Sequence, residues 1–181
     1  MFKFAAASEN ELIVFGSARP SYTYEEVSEW INFMQNQGIQ RVCCLLPETQ
    51  LTRYPDLLGV YRQVFGLDQV CWAPIKDFNF ATPEILAHQI LPFLTIANRQ
   101  NEKVVVHCSG GIGRTGHVLA AWLVAGRGLS SKSAIAAVKQ TGRNPYEAVI
   151  AAPFKGRNPW QVAEELNKLL EECNRFRNKL I

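Results

Sequence analysis

Short apolar runs alternate along the chain with longer segments whose apolar residues recur at helical spacing. The apolar runs predict strands at Leu12–Gly16, Arg41–Leu46, Val70–Ile75 and Lys103–His107. The last of these, Lys-Val-Val-Val-His, is an uninterrupted β-branched run, which is typical of a central buried strand. Because strands and helices alternate, the sequence predicts an α/β fold with a central, mostly parallel sheet of about four to five strands flanked by helices.

Several helix starts carry a recognisable cap. Thr23 is followed three residues later by Glu26, which is the pattern of a capping box. Thr82 precedes a proline at the first helical position, where the missing N–H costs nothing. The tetrapeptide Gly-Arg-Asn-Pro occurs twice, and it predicts helix starts capped by Asn144 and Asn158.

The composition is that of an ordinary globular domain. The chain has 181 residues, of which 48% are hydrophobic and 19% charged, so we expect a single domain over residues 1–181 and exclude a disordered chain. The longest apolar stretch, Val118–Gly126, is about half the length of a membrane-spanning helix, and no signal-peptide pattern is found. Five cysteines without an export signal favour a reduced, cytoplasmic setting over a disulfide framework.

The charge of the chain bears on its partners. The formal net charge is +3, and the basic excess falls in the second part of the sequence. These basic residues are scattered and are not interleaved with aromatic residues, so nucleic acid is not expected as a partner. Neither a membrane nor a metal site is expected, and the sequence leaves the oligomeric state open.

The most informative segment is V-V-V-H-C-S-G-G-I-G-R-T-G, which begins at Val104. A strand leads into Cys108, a glycine-rich loop follows, and Arg114 opens a helix. Consecutive backbone N–H groups and the positive end of a helix can cradle an anion in such a loop. The residues predicted to bind phosphate are Ser109, Gly110, Gly111, Ile112, Gly113 and Arg114.

Four side chains of this segment acquire chemical roles. Cys108 faces the cradle, whose N–H groups favour its thiolate, and it is the candidate nucleophile. Arg114 offers a planar fork that holds two oxygens of a phosphoryl group. Thr115 is predicted to donate a hydrogen bond to the sulfur atom when the thiolate leaves. His107 is predicted to orient the loop through a ring N–H donated to a backbone carbonyl.

Phosphoryl transfer to a cysteine also needs an acid that protonates the leaving oxygen. The candidates are the three aspartates of the chain, Asp56, Asp68 and Asp77. Asp77 follows the third predicted strand, so its loop can reach the cradle. Asp56 stands at a helix start and Asp68 in a turn, and we therefore favour Asp77.

These residues resemble the cysteine-dependent protein phosphatases, whose loop is His-Cys-x5-Arg-(Ser/Thr). The chain is similar to the smaller, dual-specificity branch in its length and in the Pro-Ile-x-Asp context of Asp77. The tyrosine-specific branch typically has Ala where Gly110 stands, and its larger members carry a Trp-Pro-Asp motif that is absent here. The resemblance implies a dual-specificity-phosphatase fold.

The resemblance also implies a mechanism in two steps without a metal or organic cofactor. Cys108 attacks phosphorus, Arg114 and the loop amides bind the equatorial oxygens, and Asp77 protonates the leaving hydroxyl. Asp77 then activates water against the phosphocysteine while Thr115 assists the departure of sulfur. Arg143 falls where family members place a basic residue that contacts the substrate. The expected substrate is a phosphoprotein, with phosphotyrosine first and phosphoserine or phosphothreonine second, because the loop side chains between Cys108 and Arg114 are neutral.

The sequence alone leaves other functions open. They are a phosphatase of a non-protein substrate (phosphoinositide, inositol phosphate or RNA 5′-phosphate), a rhodanese-like sulfurtransferase, and a phosphate-binding module without activity. Redox control through Cys43, Cys44 or Cys71 is a further hypothesis, since some family members protect the nucleophile in a disulfide. Arg19, after the first predicted strand, is a weaker candidate for substrate contact.

Overall fold

A five-stranded sheet forms the centre of the molecule. The computed structural model describes residues 2–180, without the side chains of residues 177–180. The strands are β1 (Ala5–Ala6), β2 (Val14–Ala18), β3 (Ile39–Cys44), β4 (Val70–Trp72) and β5 (Lys103–Cys108). Their order is β1-β2-β5-β3-β4, with β1 antiparallel to β2 and the other neighbours parallel. The predicted α/β fold with a mostly parallel sheet is confirmed.

Helices follow the strands and cover both faces of the sheet. They are α1 (Tyr24–Asn36), α2 (Glu48–Leu51), α3 (Leu57–Phe65), α4 (Pro83–Ile85), α5 (Leu91–Gln100), α6 (Gly113–Arg127), α7 (Ser131–Gln140), α8 (Glu147–Ala151) and α9 (Pro159–Leu180). A π-helical turn, Leu86–Ile90, joins α4 to α5. Within residues 2–180, no helix is both long enough and apolar enough to cross a membrane.

The predicted caps are largely confirmed. Thr23 accepts a hydrogen bond from the N–H of Glu26, whose carboxylate in turn accepts from the N–H of Thr23, so the capping box is complete. Asn158 accepts from the N–H of Trp160 at the start of α9. The first Gly-Arg-Asn-Pro copy differs, because Asn144 caps only a turn and α8 begins later, at Glu147.

Two strands begin at positions other than those the sequence predicts. The second strand starts at Val14, not at Leu12, whose side chain is 73% exposed. The strand predicted from Arg41 starts at Ile39 and ends at Cys44. Apolar residues also occur in the loops next to the sheet. A hydrophobic run therefore does not by itself show at which residue the hydrogen bonds to the neighbouring strand begin or end.

The sheet separates two hydrophobic cores. Cys43 faces the core formed with α5, α6, α7 and α9, whereas Cys44 faces the core formed with α1 and α3. The alternation of side chains along a strand accounts for this division. Helix α6 lies inside the larger core, and its residues from Gly113 to Ala125 are all buried.

A buried carboxylate ties the start of the chain to the end of α6. Glu11 is 3% exposed and accepts hydrogen bonds from Nε of Arg127 at 2.8 Å and from Nε1 of Trp122 at 3.1 Å. It also accepts from the N–H groups of Ile13 and Val14. Burial acts to raise the pKa of Glu11, but these hydrogen bonds and the Arg127 charge outweigh it, and the pKa is lowered.

Candidate active site

The glycine-rich loop joins the central strand to the most buried helix. Strand β5 ends at Cys108, which stands in register with Ala18 at the end of β2, and α6 begins at Gly113. The loop therefore lies at the carboxyl ends of the parallel strands, where α/β folds bind their ligands. Cys108 is 2% exposed, at the base of this loop.

The backbone of the loop turns toward the cysteine sulfur. The N–H of Gly111 donates to Sγ of Cys108 at 3.3 Å. Gly111 has a φ of +69°, and a Cβ built there would lie 2.6 Å from backbone atoms of Ser17 and Ala18. Gly110, by contrast, has nothing within 4 Å of its Cβ position. Of these two glycines, only Gly111 is required both by its dihedral angle and by space.

The segment after β2 supports the loop from one side. The backbone N–H of Arg19 donates to the carbonyl of Cys108 at 2.9 Å, and its Nε donates to Oγ of Ser109 at 3.3 Å. Nη1 of Arg19 donates to the hydroxyl of Tyr54 at 2.9 Å. The sequence pattern offers only a weak signal for Arg19, because its partners lie far away along the chain.

Arg114 contacts the predicted acid, Asp77. Its guanidinium is buried, and Nη2 lies 3.1 Å from Oδ1 of Asp77. Nη1 donates to the carbonyl of Ile75 at 3.1 Å and to Oε1 of Gln50 at 3.2 Å. The structure thus brings Asp77 to the loop as the sequence predicts. Gln50 was missed, since a glutamine in a short polar helix gives no signal at the level of sequence.

The loop that carries Asp77 is fixed at both ends. The N–H of Ile75 donates to the carbonyl of Leu45 at 3.1 Å. At the far end, the N–H of Ala81 donates to Nε2 of His117 at 2.9 Å. Because Nε2 accepts, the proton of the neutral ring is on Nδ1, which lies 3.3 Å from the carbonyl of Gly113. Burial lowers the pKa of His117 to about 4, which is consistent with this neutral form.

His107 is buried between aromatic rings. Its ring centroid lies 5.3 Å from that of Trp30 and 5.7 Å from that of Tyr61. Neither ring nitrogen forms a well-aligned hydrogen bond with the described residues, although an interaction with the backbone of Cys108 acts to raise the pKa of the ring. The predicted bond to a backbone carbonyl therefore stays a prediction. Burial lowers the pKa of His107 to about 3, and the ring is neutral.

Thr115 follows Arg114 on α6 and is fully buried. Its hydroxyl has no hydrogen-bond partner within the described part of the chain, so the predicted bond to the Cys108 sulfur is not formed in this conformation. A role for this hydroxyl when sulfur becomes the leaving group stays a prediction.

Arg143 is 3% exposed and lies over Gly16 of β2, where a Cβ would come within 2.4 Å of its Nε. Nη1 donates to the carbonyl of Thr141 at 2.9 Å, and Nη2 donates to the carbonyl of Lys3 at 2.8 Å. Burial lowers the pKa of Arg143 to about 10. Arg143 therefore links the α7–α8 loop to the N-terminal segment through hydrogen bonds. This structural role is favoured over the substrate contact that the resemblance implies.

The other two aspartates and the strand cysteines make no hydrogen bond or ion pair with the phosphate-binding loop in the described part of the chain. Asp56 caps α3 by accepting from the N–H of Gly59 at 2.9 Å, and Asp68 is exposed in a 3-10 turn before β4. Cys43 and Cys71 are in-register neighbours on β3 and β4, and no disulfide joins them. Redox control through the strand cysteines stays a hypothesis.

Comparison with known proteins agrees with the geometry of the loop. The family described as "Polymorphic toxin system, DSP-PTPase phosphatase" matches residues 16–127, which is more than half of the chain. The chain is similar to Tk-PTP in its active form, with 28% identity over 86% of this chain and 92% of that chain and a TM-score of 0.64. A glycine-to-alanine mutant form of Tk-PTP matches at 27% identity over 95% of each chain, with a TM-score of 0.67.

More distant structures share the fold. PTPMT1 is 14% identical over 98% of this chain and 95% of that chain, with a TM-score of 0.65. Kinase associated phosphatase (KAP), with its catalytic cysteine replaced by serine, is 22% identical over 92% of this chain and 86% of that chain, with a TM-score of 0.62. From its sequence match and its fold, the chain belongs to the DSP-PTPase phosphatase family and is a cysteine-dependent phosphatase.

Proposed function

We propose that this phosphatase hydrolyses phosphotyrosine in proteins, and phosphoserine or phosphothreonine more slowly, through a phosphocysteine intermediate. The observation that carries the proposal is the pairing of Asp77 with Arg114, 3.1 Å apart, beside the loop that begins at Cys108. A nucleophile, a phosphate-binding cation and a proton donor are then neighbours, as cleavage of a phosphomonoester requires.

In the first step the thiolate of Cys108 attacks phosphorus in line with the ester oxygen. The sulfur–phosphorus bond forms as the bond between phosphorus and the tyrosine oxygen breaks, and Asp77 gives its proton to that oxygen. The equatorial oxygens are bound by the guanidinium of Arg114 and by the backbone N–H groups from Ser109 to Arg114. These donors stabilise the negative charge of the transition state.

In the second step water replaces sulfur. Asp77, now a carboxylate, takes a proton from the water molecule as its oxygen bonds to phosphorus. The sulfur–phosphorus bond breaks, and the thiolate of Cys108 is restored. The hydroxyl of Thr115, which has no hydrogen-bond partner within the described residues, donates to the departing sulfur. The product is inorganic phosphate.

A protein substrate is supported by the side chains of the loop. Ser109, Gly110, Gly111 and Ile112 carry no charge, whereas loops that favour highly anionic lipid headgroups often carry lysine. A phosphotyrosine presents one dianionic group on an apolar ring, so the positive charge of Arg114 and the N–H donors of the loop backbone suffice for it. The family assignment also favours ester hydrolysis over sulfur transfer.

The test is hydrolysis of p-nitrophenyl phosphate and of a phosphotyrosine peptide by the wild type and by two cysteine variants. Cys108→Ser is expected to lose both activities. Cys71→Ser, the matched control, alters a partly exposed cysteine of β4 and is expected to keep them. A chelator is expected to have no effect. A wild type that hydrolyses a phosphoinositide but neither of the other substrates would contradict the protein substrate.

A further inference from the structure

We propose that Arg19, Tyr22 and Arg53 form a second anion-binding subsite beside the phosphate loop. We call this set of three residues the arginine–tyrosine subsite. It binds an acidic side chain, or a second phosphate, next to the phosphotyrosine of a substrate peptide. This inference rests on the proposed function, because it names the class of phosphopeptide that the same site prefers.

Two guanidinium groups share one aromatic ring in this subsite. Cζ of Arg19 lies 3.8 Å from the centroid of the Tyr22 ring, and Cζ of Arg53 lies 5.4 Å from the same centroid. Nη1 of Arg53 also donates to the hydroxyl of Tyr22 at 2.9 Å. The ring holds both cations in fixed positions and lowers the cost of bringing an anion to them.

The charges of these two arginines are not neutralised within the protein. Four other arginines of the described chain pair with carboxylates: Arg41 with Glu102, Arg114 with Asp77, Arg127 with Glu11, and Arg157 with Glu165. Within the same described residues, neither Arg19 nor Arg53 forms an ion pair with a carboxylate.

The hydrogen bonds of the two side chains leave donors for a ligand. Nε and Nη1 of Arg19 donate to oxygens of the protein, and Nη2 has no hydrogen-bond partner among the residues whose side chains the structure describes. Arg53 is exposed and uses Nη1 for Tyr22. Two like charges held against one ring repel each other, and an anion that binds both of them would remove that repulsion.

The subsite directly adjoins the phosphate-binding loop. Nε of Arg19 lies 3.3 Å from Oγ of Ser109, the first residue after the proposed nucleophile. Arg53 follows α2, the helix whose Gln50 contacts Arg114 at 3.2 Å. Both arginines therefore stand on elements that touch the loop itself.

The kind of ligand that the arginine–tyrosine subsite binds follows from its short distance to the phosphate-binding loop. An extended peptide advances by roughly 3.3 Å per residue, so a side chain close in sequence to a phosphotyrosine bound at Cys108 reaches the subsite. The side chain must carry a carboxylate or a phosphate to satisfy both guanidiniums. We therefore expect the preferred substrates to be phosphotyrosine peptides with an acidic or phosphorylated neighbour.

The experiment compares kcat/KM for two phosphotyrosine peptides that differ only in having Glu or Gln at the positions flanking the phosphotyrosine. The ratio of the two values cancels any effect of a substitution on the chemical step. We expect a ratio of about 5 in the wild type, as for an ion pair at a partly exposed site, and a smaller ratio in 0.5 M NaCl. Arg53→Gln is expected to reduce the ratio to about 2, because Arg19 still attracts the acidic side chain, and Arg53→Lys is expected to keep more of it.

Arg62→Gln is the matched control, since it removes an exposed arginine from α3, which leads away from the loop toward the start of β4. It is expected to keep the wild-type ratio. Equal kcat/KM values for the two peptides in the wild type, or an unchanged ratio in Arg53→Gln, would overturn the subsite alone. Hydrolysis of p-nitrophenyl phosphate, but of neither peptide, would overturn the protein substrate and the subsite together. Faster turnover of a phosphoinositide in vesicles than of both peptides would assign the two arginines to a lipid headgroup instead.

Discussion

The carboxylate of Asp77 lies 3.1 Å from Nη2 of Arg114, so the proposed acid and the proposed phosphate-binding cation are in direct contact. The two side chains differ in exposure, at 49% for Asp77 and 3% for Arg114. Arg114 is thus a fixed point at the base of the site, whereas Asp77 stands at its mouth. A carboxyl group in that position can reach the leaving oxygen of an ester whose phosphate rests on the guanidinium.

Replacing Asp77 by asparagine tests its role as the acid. We expect Asp77→Asn to lower kcat by ~10²-fold or more, because general acid catalysis contributes on that scale. The loss is expected to be larger for a phosphotyrosine peptide than for p-nitrophenyl phosphate, whose leaving group needs less protonation. Asp68→Asn, at an exposed position before β4, serves as the control and should behave as wild type. Equal effects of the two substitutions would remove Asp77 from the mechanism.

The two neighbouring glycines of the loop form a matched pair. Gly111→Ala is expected to abolish activity, because its Cβ would lie 2.6 Å from the backbone of Ser17 and Ala18 and its φ of +69° disfavours a side chain. Gly110→Ala is expected to keep activity close to wild type, since nothing lies within 4 Å of that Cβ. Phosphatase assays on both variants, with circular dichroism to check folding, measure the difference. An active Gly111→Ala enzyme would show that the loop does not need the close contact with β2.

Buried histidines make the fold sensitive to acid. The pKa of His107 is lowered to about 3 and that of His117 to about 4, so both rings stay neutral in the folded protein while they take up protons near pH 6.5 when unfolded. The unfolded state therefore binds more protons in this range. The stabilising contribution is complete above pH ~6.5 and is lost as the pH falls toward 4.

Urea unfolding at pH 7.5 and 5.5 measures this effect for His117. We expect His117→Gln to reduce the change in the free energy of unfolding between the two pH values by about 1 kcal/mol. The glutamine carbonyl can still accept from the N–H of Ala81, so the fold is retained. His88→Gln, at an exposed position of the π-helical turn, should leave the pH dependence unchanged. An equal reduction in both variants would contradict the assignment to His117.

Glu11 is expected to carry a large share of the stability near the N-terminus. Glu11→Ala removes a carboxylate that accepts from Arg127, Trp122 and two backbone N–H groups, and it leaves the buried indole N–H of Trp122 without this acceptor, whereas Arg127 is partly exposed and can be solvated. We expect the free energy of unfolding to fall by about 2 kcal/mol, the scale for leaving a buried donor unsatisfied. Glu9→Ala, at an exposed position nearby, should change it little. Chemical denaturation of both variants, monitored by tryptophan fluorescence, would decide.

The sequence predicted the parts of the site that depend on local chemistry. A strand, a run of glycines and a helix start occur together between Lys103 and Arg127, and each has a recognisable pattern. Asp77 could be inferred because aspartate is rare in this chain and one copy follows a strand. The α/β alternation likewise predicted the sheet, while the two-residue strand β1 was missed because it is too short to show a period.

The contacts that orient the site could not be predicted in this way. Gln50 and Arg19 each act through partners far away in sequence, so only the folded chain shows what their side chains contact. The same is true of Glu11, which lies away from the site and contacts the end of α6. His107 and Thr115 show the opposite case. Their positions next to Cys108 and Arg114 were evident, but the hydrogen bonds expected of them depend on packing that a motif does not describe.

Both ends of the segment that carries Asp77 are attached to α6, through Arg114 at Ile75 and through His117 at Ala81. Because both attachments are to α6, this one helix sets the distance between the proton donor and the phosphate-binding loop. The segment from Thr82 to Gln100, which includes the π-helical turn, follows the second attachment and does not affect this distance. Insertions or deletions in that segment would leave the position of Asp77 unchanged. We therefore expect homologous chains of different length to keep the same distance between the residues equivalent to Asp77 and Arg114.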